Sequence, residues 1–291
     1  MSNKKDWFDY LNVIIMLTVV FVAIYPLWYV IVISFSTEVG YYKDIYHIIP
    51  YSFTLDNYVG ILKENVIFPA FWQSIKVTFI GTCLSLAITA FAGYCFSKSD
   101  LPGVKTLYKL AIVTMYVSGG LVPMYLLITN LHLKNTIWAL IFPGMVSTYN
   151  VILARNYFLS LPKSLEEAAL IDGANGFQIF FKIVIPLSSP ILATLALFIG
   201  VTYWNAYLGA ILYLSDAEKF TLPAVLRTIL MNAGKAEELG AAGQDIGSLS
   251  KKFDEGMNMA SIIISIIPIM IVYPFVQKYF SKGIMLGAVK G

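Results

Sequence analysis

Six stretches of at least 20 residues carry no aspartate, glutamate, lysine or arginine, and no other feature constrains the fold as strongly. A membrane-spanning helix needs about 20 mostly apolar residues, whereas barrel strands are about half as long and alternate in polarity. A segment in lipid must also satisfy its own backbone hydrogen bonds. We therefore predict an all-α polytopic membrane protein, a single transmembrane domain over 1–291. Its six transmembrane helices are expected at about residues 11–36, 72–97, 107–129, 136–157, 184–214 and 257–279.

The composition agrees with lipid as the main solvent. Hydrophobic residues make up 58% of the chain and charged residues 13%, whereas a soluble domain is about a quarter charged. This balance disfavours a soluble enzyme, a nucleic-acid binder and a disordered scaffold. Cys83 and Cys95 fall in one apolar stretch, and the two histidines fall in predicted loops. We therefore predict no metal site.

The charges between the spans indicate the orientation of the chain. With the N-terminus inside, the cytoplasmic pieces carry a net charge of +5 and the external pieces −2. Cytoplasmic loops of membrane proteins carry an excess of lysine and arginine. We therefore expect both termini in the cytoplasm.

One long external loop, Asp216–Glu255, contains a helical stripe of apolar residues. The stripe is either a docking surface for an external partner or a cap packed on the helix ends. Its members are Leu222, Val225, Leu226, Ile229 and Leu230.

The internal loop over 161–182 predicts two short helices joined by a turn. The S-x-x-E pattern from Ser164 to Glu167 indicates a capping box. Gly173 suits the left-handed turn that ends a helix. A second short helix is expected from Gly176 to about Lys182, before the fifth span begins.

The spacing of this loop resembles a known family. Glu167-Ala168-Ala169 is followed by Gly173 and then by Ile183-x-x-Pro186. This pattern is similar to the EAA loop of permease subunits of ATP-binding-cassette importers, with Ile185 in place of the usual leucine. The whole chain looks like the carbohydrate branch, the smaller permease of maltose-type systems. It is closer still to permeases for polysaccharide-derived oligosaccharides such as pectin or alginate fragments.

The resemblance implies a multi-pass location in a bacterial cytoplasmic (inner) membrane, a function and a set of partners. The chain would be a transport subunit, not an enzyme, that alternates between inward and outward access. It would pair with a homologous second permease, two ATPase subunits and an extracellular or periplasmic sugar-binding protein. ATP and Mg would be bound by the ATPase subunits. This chain has no G-x-x-x-x-G-K-[ST] loop and no cofactor site of its own.

The resemblance also implies roles for residues. The first short helix would be a coupling helix that enters a groove of an ATPase subunit, and the C-terminal tail, 281–291, would reach between the two ATPases. Glu167 would pair with a basic group, and small Ala168 and Ala169 would permit close approach. The residues expected to couple to the ATPase are Glu166, Glu167, Ala168, Ala169, Asp172 and Gly173.

Two places suit a substrate path. Ser118 to Pro123 predicts a break in the third span, and broken helices at membrane depth often line cavities, although a packing kink explains it equally. In the fifth span, amide, hydroxyl and aromatic groups could contact a sugar or serve interhelical packing. The candidate path residues are Gly119, Gly120, Pro123, Thr202, Tyr203, Trp204 and Asn205.

Three alternatives remain on sequence grounds. The chain could be a permease for a non-sugar solute, such as an amino acid or a lipid-linked cargo. It could be an integral membrane enzyme, but no nucleophile–base constellation is evident. It could be a secondary transporter, which the charge-free spans disfavour because ion-coupled transport usually needs charges inside the membrane.

Overall fold

Helices account for nearly all regular structure in the computed structural model of this chain, which describes residues 7–63, 67–228, 231 and 254–287. Within these ranges no strand occurs. Extended backbone pairs only in an isolated antiparallel bridge between Ser36 and Phe53. The prediction of a helical protein is therefore confirmed for the part of the chain that is described.

The helices differ widely in length. The longest are α1, α4 and α15, with 28, 31 and 34 residues, and the other described helices have 17 residues or fewer. In chain order they are α1 (Trp7–Ser34), α2 (Glu38–Lys43), α3 (Asp56–Leu62), α4 (Ile67–Ser97), α5 (Val104–Val113), α6 (Leu121–Asn130), α7 (Trp138–Ile141), α8 (Thr148–Ser160), α9 (Lys163–Ile171), α10 (Gly176–Ile179), α11 (Ile185–Leu187), α12 (Ser189–Asn205), α13 (Leu208–Tyr213), α14 (222–228) and α15 (Asp254–Gly287). Two 3₁₀ turns, Phe142–Gly144 and Ala217–Lys219, and a π-helix, Phe180–Val184, join some of them.

Two of the described helices are long and apolar enough to cross a membrane by length and composition. They are α1 over Tyr10–Ser34 and α4. A third span results if Gly176–Leu187 and Ser189–Asn205, which meet at a bend of 80°, are counted as one. The membrane-embedded character is thus supported, while the number of six spans stays a prediction.

The predicted break in the third span is confirmed. Helix α5 ends at Val113 and α6 begins at Leu121, with turn and irregular backbone between them. Each half has 10 residues, so neither reaches the length of a span alone. The glycine pair before Pro123 explains the break, because glycine adds backbone freedom and proline is tolerated in a first helical turn.

Two sequence predictions fall partly outside the described residues. The apolar stripe of the external loop begins in α14, where Leu222, Val225 and Leu226 are buried. This burial agrees with packing within the chain, while Ile229 and Leu230 lie outside the described residues. Helix α15 extends to Gly287, and the end of the predicted docking tail, 288–291, also lies outside them.

The chain divides into two compact units. The described residues within 1–67 and 226–268 form the first unit, and those within 68–225 and 269–291 form the second. The internal loop and the candidate path residues all belong to the second unit. The internal loop and the candidate path residues can therefore be compared within one compact unit.

A buried cluster in the second unit supports the internal loop. It combines apolar side chains from the C-terminal half of α4, from α8, from α12 and from the loop itself. Helices α4 and α8 approach closely, since a Cβ at Gly93 would lie 2.7 Å from the Ala154 Cβ. The cluster members are Ala90, Ala154, Phe158, Ala169, Ile179, Phe180, Val184 and Leu195.

Candidate functional site

Helix α9 begins the candidate coupling loop, and its start differs from the sequence prediction. Pro162 occupies the N-cap position in extended conformation, without a side-chain cap. Its carbonyl accepts a hydrogen bond from the Leu165 N–H at 3.2 Å. Ser164 therefore lies inside the first turn, and the predicted Ser164–Glu167 capping box is wrong. Proline allows the earlier start because its fixed φ suits helix entry and Lys163 follows as a helix former.

The turn after α9 forms at Gly173, as predicted. Its φ is +82°, in the left-handed region that favours glycine. The Gly173 N–H donates to the Leu170 carbonyl at 3.0 Å, and the Ala174 N–H to the Ala169 carbonyl at 2.9 Å. These two bonds form a Schellman motif, which satisfies the last carbonyls of the helix. Gly173 thus fixes where α9 stops.

The second short helix has the capping box that was missed. The Gln178 N–H donates to Asn175 Oδ1 at 2.9 Å, and the Asn175 N–H donates to Gln178 Oε1 at 2.9 Å. An N-x-x-Q spacing carries this signal in the sequence. The helix then continues as the π-helix through Lys182, so the predicted helical stretch over 176–182 is present.

The loop places its signature residues on two faces. Ala169 is buried in the cluster below α9, while Glu167, Ala168 and Asp172 are exposed. Glu166 is partly covered, because it accepts a hydrogen bond from the Lys98 ammonium and forms an ion pair with it. No local sequence pattern indicates this partner, which lies 68 residues away.

The outward face of the loop combines charge with apolar surface. Ile171 is 87% exposed and Leu170 59% exposed. Interaction surfaces commonly combine exposed apolar side chains with a polar rim, so this face is a candidate for one. Beside them is an open depression of about 280 Å³, and its lining residues are Asp172, Gly173, Ala174, Gln178, Lys182 and Ile183.

The end of α12 holds four of the candidate path residues. Tyr203 is only 5% exposed, and its hydroxyl donates to the Ile141 carbonyl at 2.9 Å and pairs with Ser85 Oγ at 3.0 Å. Trp204 is 6% exposed and meets the Phe71 ring edge to face, with centroids 6.2 Å apart. In this conformation neither ring is presented to a solute.

Two polar residues of α12 and the break before α6 face outward. Thr202 and Asn205 are exposed, although the Thr202 hydroxyl donates to the Phe198 carbonyl at 2.8 Å. Gly119, Gly120 and Pro123 are exposed as well. The structure therefore does not bring all the candidate path residues onto one surface. Their contact with a substrate stays a prediction.

A polar cluster that sequence reasoning did not single out surrounds Asn135. This residue has a φ of +61°, and its amide nitrogen donates to Asp216 at 2.8 Å. Lys219 forms an ion pair with Asp216 at 2.8 Å. Hydrogen bonds from Lys219 and then Asn135 hold the pKa of Asp216 below its usual value. Within the described ranges, no group of three or more potential metal ligands occurs.

Comparison with protein families gives a match over nearly the whole chain. The model of the family described as binding-protein-dependent transport system inner membrane component matches residues 2–286.

Curated relatives are similar from end to end. The chain is 39% identical to a polygalacturonan/rhamnogalacturonan transport system permease protein of Bacillus subtilis, over 99% of this chain and 100% of the relative. It is 31% identical to an arabinooligosaccharides transport system permease protein of Halalkalibacterium halodurans, over 94% of this chain and 93% of the relative. It is 30% identical to a trehalose/maltose transport system permease protein of Thermococcus litoralis, over 93% of this chain and 92% of the relative.

A solved structure has the same fold. It is the crystal structure of a bacterial ABC transporter involved in the import of the acidic polysaccharide alginate. One of its chains superposes with a TM-score of 0.85 at 30% identity, covering 96% of this chain and 99% of that one.

Proposed function

Because this chain belongs to the family of binding-protein-dependent transport system inner membrane components, we propose that it is the permease subunit of an ATP-driven importer of oligosaccharides derived from acidic polysaccharides. The transport role and the oligosaccharide class follow from the family and the relatives. The acidic character is supported by the 39% identity to the polygalacturonan/rhamnogalacturonan permease and by the likeness to the alginate transporter. The relatives named for neutral sugars are 29 to 31% identical.

The substrate proposal is tested with the reconstituted complex and its binding protein. We expect short galacturonate oligomers to stimulate ATP hydrolysis and to be taken up, while arabino-oligosaccharides and maltose of equal length stimulate it weakly. Equal stimulation by neutral and acidic oligomers would contradict the acidic preference and leave the oligosaccharide class intact. Stimulation by an amino acid alone would contradict both.

Helix α9 is proposed as the coupling helix. Its outward carboxylates, Glu167 and Asp172, would face basic groups of an ATPase subunit, and the exposed Ile171 would enter an apolar part of the groove. Ala169 cannot serve this contact directly in the present conformation, since it packs inward. Its small side chain instead lets α9 lie close to the cluster beneath. We propose that Ala168, exposed beside Glu167, is the alanine that allows close approach of the ATPase.

We propose a working cycle of the kind that the family implies. A second permease would complete the membrane pathway, two ATPase subunits would bind ATP and Mg below, and a binding protein would deliver the sugar from outside. Closure of the ATPases would move α9, and that movement would open the pathway outward. Hydrolysis would return it to the inward state.

The coupling role is tested with Glu167→Arg and Gly173→Pro. Glu167→Arg reverses the charge on the outward face of α9. Gly173→Pro introduces a proline, which cannot adopt the φ of +82° found at residue 173. We expect both to reduce sugar-stimulated ATP hydrolysis and uptake. The matched control is Glu218→Arg, which reverses an exposed glutamate outside the loop. Normal coupling and assembly of both loop variants would overturn the proposal.

The orientation and the six spans are also proposed, from the positive balance of the predicted internal pieces. The orientation is tested by reaction of single introduced cysteines with an impermeant thiol reagent, in a variant without Cys83 and Cys95. Residue 105 should be protected in intact cells and residue 218 should react. The opposite pattern would contradict the proposed orientation.

A further inference from the structure

Lys98 connects the C-terminal end of α4 to the middle of α9. Its ammonium pairs with the Glu166 carboxylate and lies 4.6 Å from the centroid of the Tyr94 ring. The side chains of Lys98 and Glu166 are 31% and 23% exposed, so water screens the pair only partly. Lys98 also follows directly after the last residue of α4, where the helix dipole favours a positive charge.

Aromatic rings fill the space between α4 and the loop. The Tyr94 ring lies 5.0 Å from the Phe180 ring and 6.1 Å from the Phe158 ring. Phe91 lies 6.2 Å from Phe177 in a stacked arrangement. Apolar contacts of this kind hold the loop against α4 without fixing one position, because they have little directionality. A charged hydrogen bond has a preferred geometry and can therefore fix the position of α9 relative to α4.

The two neighbouring glutamates of α9 therefore have different surroundings. Consecutive residues on a helix point about 100° apart, since one turn takes 3.6 residues. Glu166 points toward Lys98, whereas Glu167 is exposed on the outward face. One carboxylate is engaged within the chain, and the other remains for a partner.

We propose that Lys98 and Glu166 form a latch that sets the position of the coupling helix relative to α4, and that both act as positioning residues. The latch would transmit movement of α9 to α4, a helix long and apolar enough to cross the membrane. This inference rests on the proposed coupling role of α9. It differs from the family resemblance in assigning Glu166 to a contact within the permease and not to the ATPase.

The test measures sugar transported per ATP hydrolysed by the reconstituted complex. Lys98→Met keeps the length of the side chain and removes its charge. A partly exposed ion pair shifts an equilibrium by about two- to fivefold, and we expect a fall of that size in the ratio. Lys98→Arg should preserve the ratio, and Lys105→Met on the exposed surface of α5 should leave it unchanged.

A charge exchange separates positioning from general stability. Lys98→Glu and Glu166→Lys should each lower the ratio, and the double variant should restore most of it. A purely structural role would instead lower the yield of complex, ATP hydrolysis and transport together, with the ratio constant. The latch is overturned by a normal ratio in Lys98→Met, or by a double variant no better than the worse single variant.

The outcomes also separate the latch from the coupling proposal. Impaired Glu167→Arg and Gly173→Pro together with a normal Lys98→Met would remove the latch alone. Normal coupling in Glu167→Arg and Gly173→Pro would remove the coupling role of α9, on which the latch depends.

Discussion

The coupling loop and the end of α12 both carry residues suited to binding, but they place them in opposite ways. In the loop, the charged Glu167 and the apolar Ile171 both face outward. At the end of α12, Tyr203 and Trp204 face inward, and the smaller polar residues face outward. The chemical character of a side chain alone therefore does not determine whether it is buried or exposed. In the loop, the order of helix, glycine turn and helix determines which side chains face outward. In α12, packing against the neighbouring helix α4 determines which side chains are buried.

Close packing explains the inward position of Tyr203. A Cβ on Gly81 of α4 would lie 2.8 Å from the Tyr203 ring, so this glycine makes the space that the ring occupies. Small residues at interfaces between membrane helices allow such close approach. The buried Val77, Ile141 and Ile199 complete the cluster around the ring. Tyr203 thus joins α4 and α12 to the end of α7.

The largest expected effect tests the buried side of α12. Trp204→Ala should lower the free energy of unfolding by roughly 3 kcal/mol, because it removes a large buried ring and leaves a cavity. Asn205→Ala, the exposed neighbour, should change it by less than about 0.5 kcal/mol. Thermal unfolding of the purified complex measures both. If Trp204→Ala has the stability of the unaltered complex but loses sugar uptake, the ring belongs to the substrate path. The contrast between an exposed binding face on the loop and buried rings on α12 would then be wrong.

Filling the space at Gly81 should give the next largest effect. Gly81→Ala places a methyl group against the Tyr203 ring, and overpacking of this kind costs about 1–3 kcal/mol. Gly200→Ala is the matched control, since its Cβ would lie 3.4 Å from Thr82 Oγ1, close to ordinary contact. The same unfolding measurement applies. Equal stability of the two variants would show that Tyr203 can move aside freely.

Loss of the Tyr203 hydroxyl should have a smaller effect. Tyr203→Phe keeps the ring but leaves the Ile141 carbonyl and the Ser85 hydroxyl without this partner, at a cost of about 1–2 kcal/mol. Tyr116→Phe, at a position 85% exposed, is the control and should be neutral. A neutral Tyr203→Phe would mean that packing alone holds α12, and that the hydroxyl is available for another role.

The same contrast shows what the sequence could predict. The charge-free stretches predicted the long helices α1 and α4, the glycine pair before Pro123 predicted the break before α6, and Gly173 predicted the turn after α9. Each of these depends on residues close together in the chain. The pairing of Lys98 with Glu166 and the burial of Tyr203 depend on contacts between distant segments, which no local pattern contains.

The start of α9 was mispredicted for a local reason, and this gives the last test. The loop contains two capping-box patterns, the S-x-x-E at Ser164 and the N-x-x-Q at Asn175, and the structure forms only the second among the described residues, because α9 already begins after Pro162. Asn175→Ala should therefore cost about 1 kcal/mol, whereas Ser164→Ala, inside the first turn of α9, should cost a few tenths at most. Hydrogen exchange over 163–184 in the assembled complex would locate the effect, with faster exchange expected at residues 176–178 in the first variant alone. Faster exchange at residues 165–167 in Ser164→Ala would mean that the serine does cap α9, and that the two short helices begin by the same device.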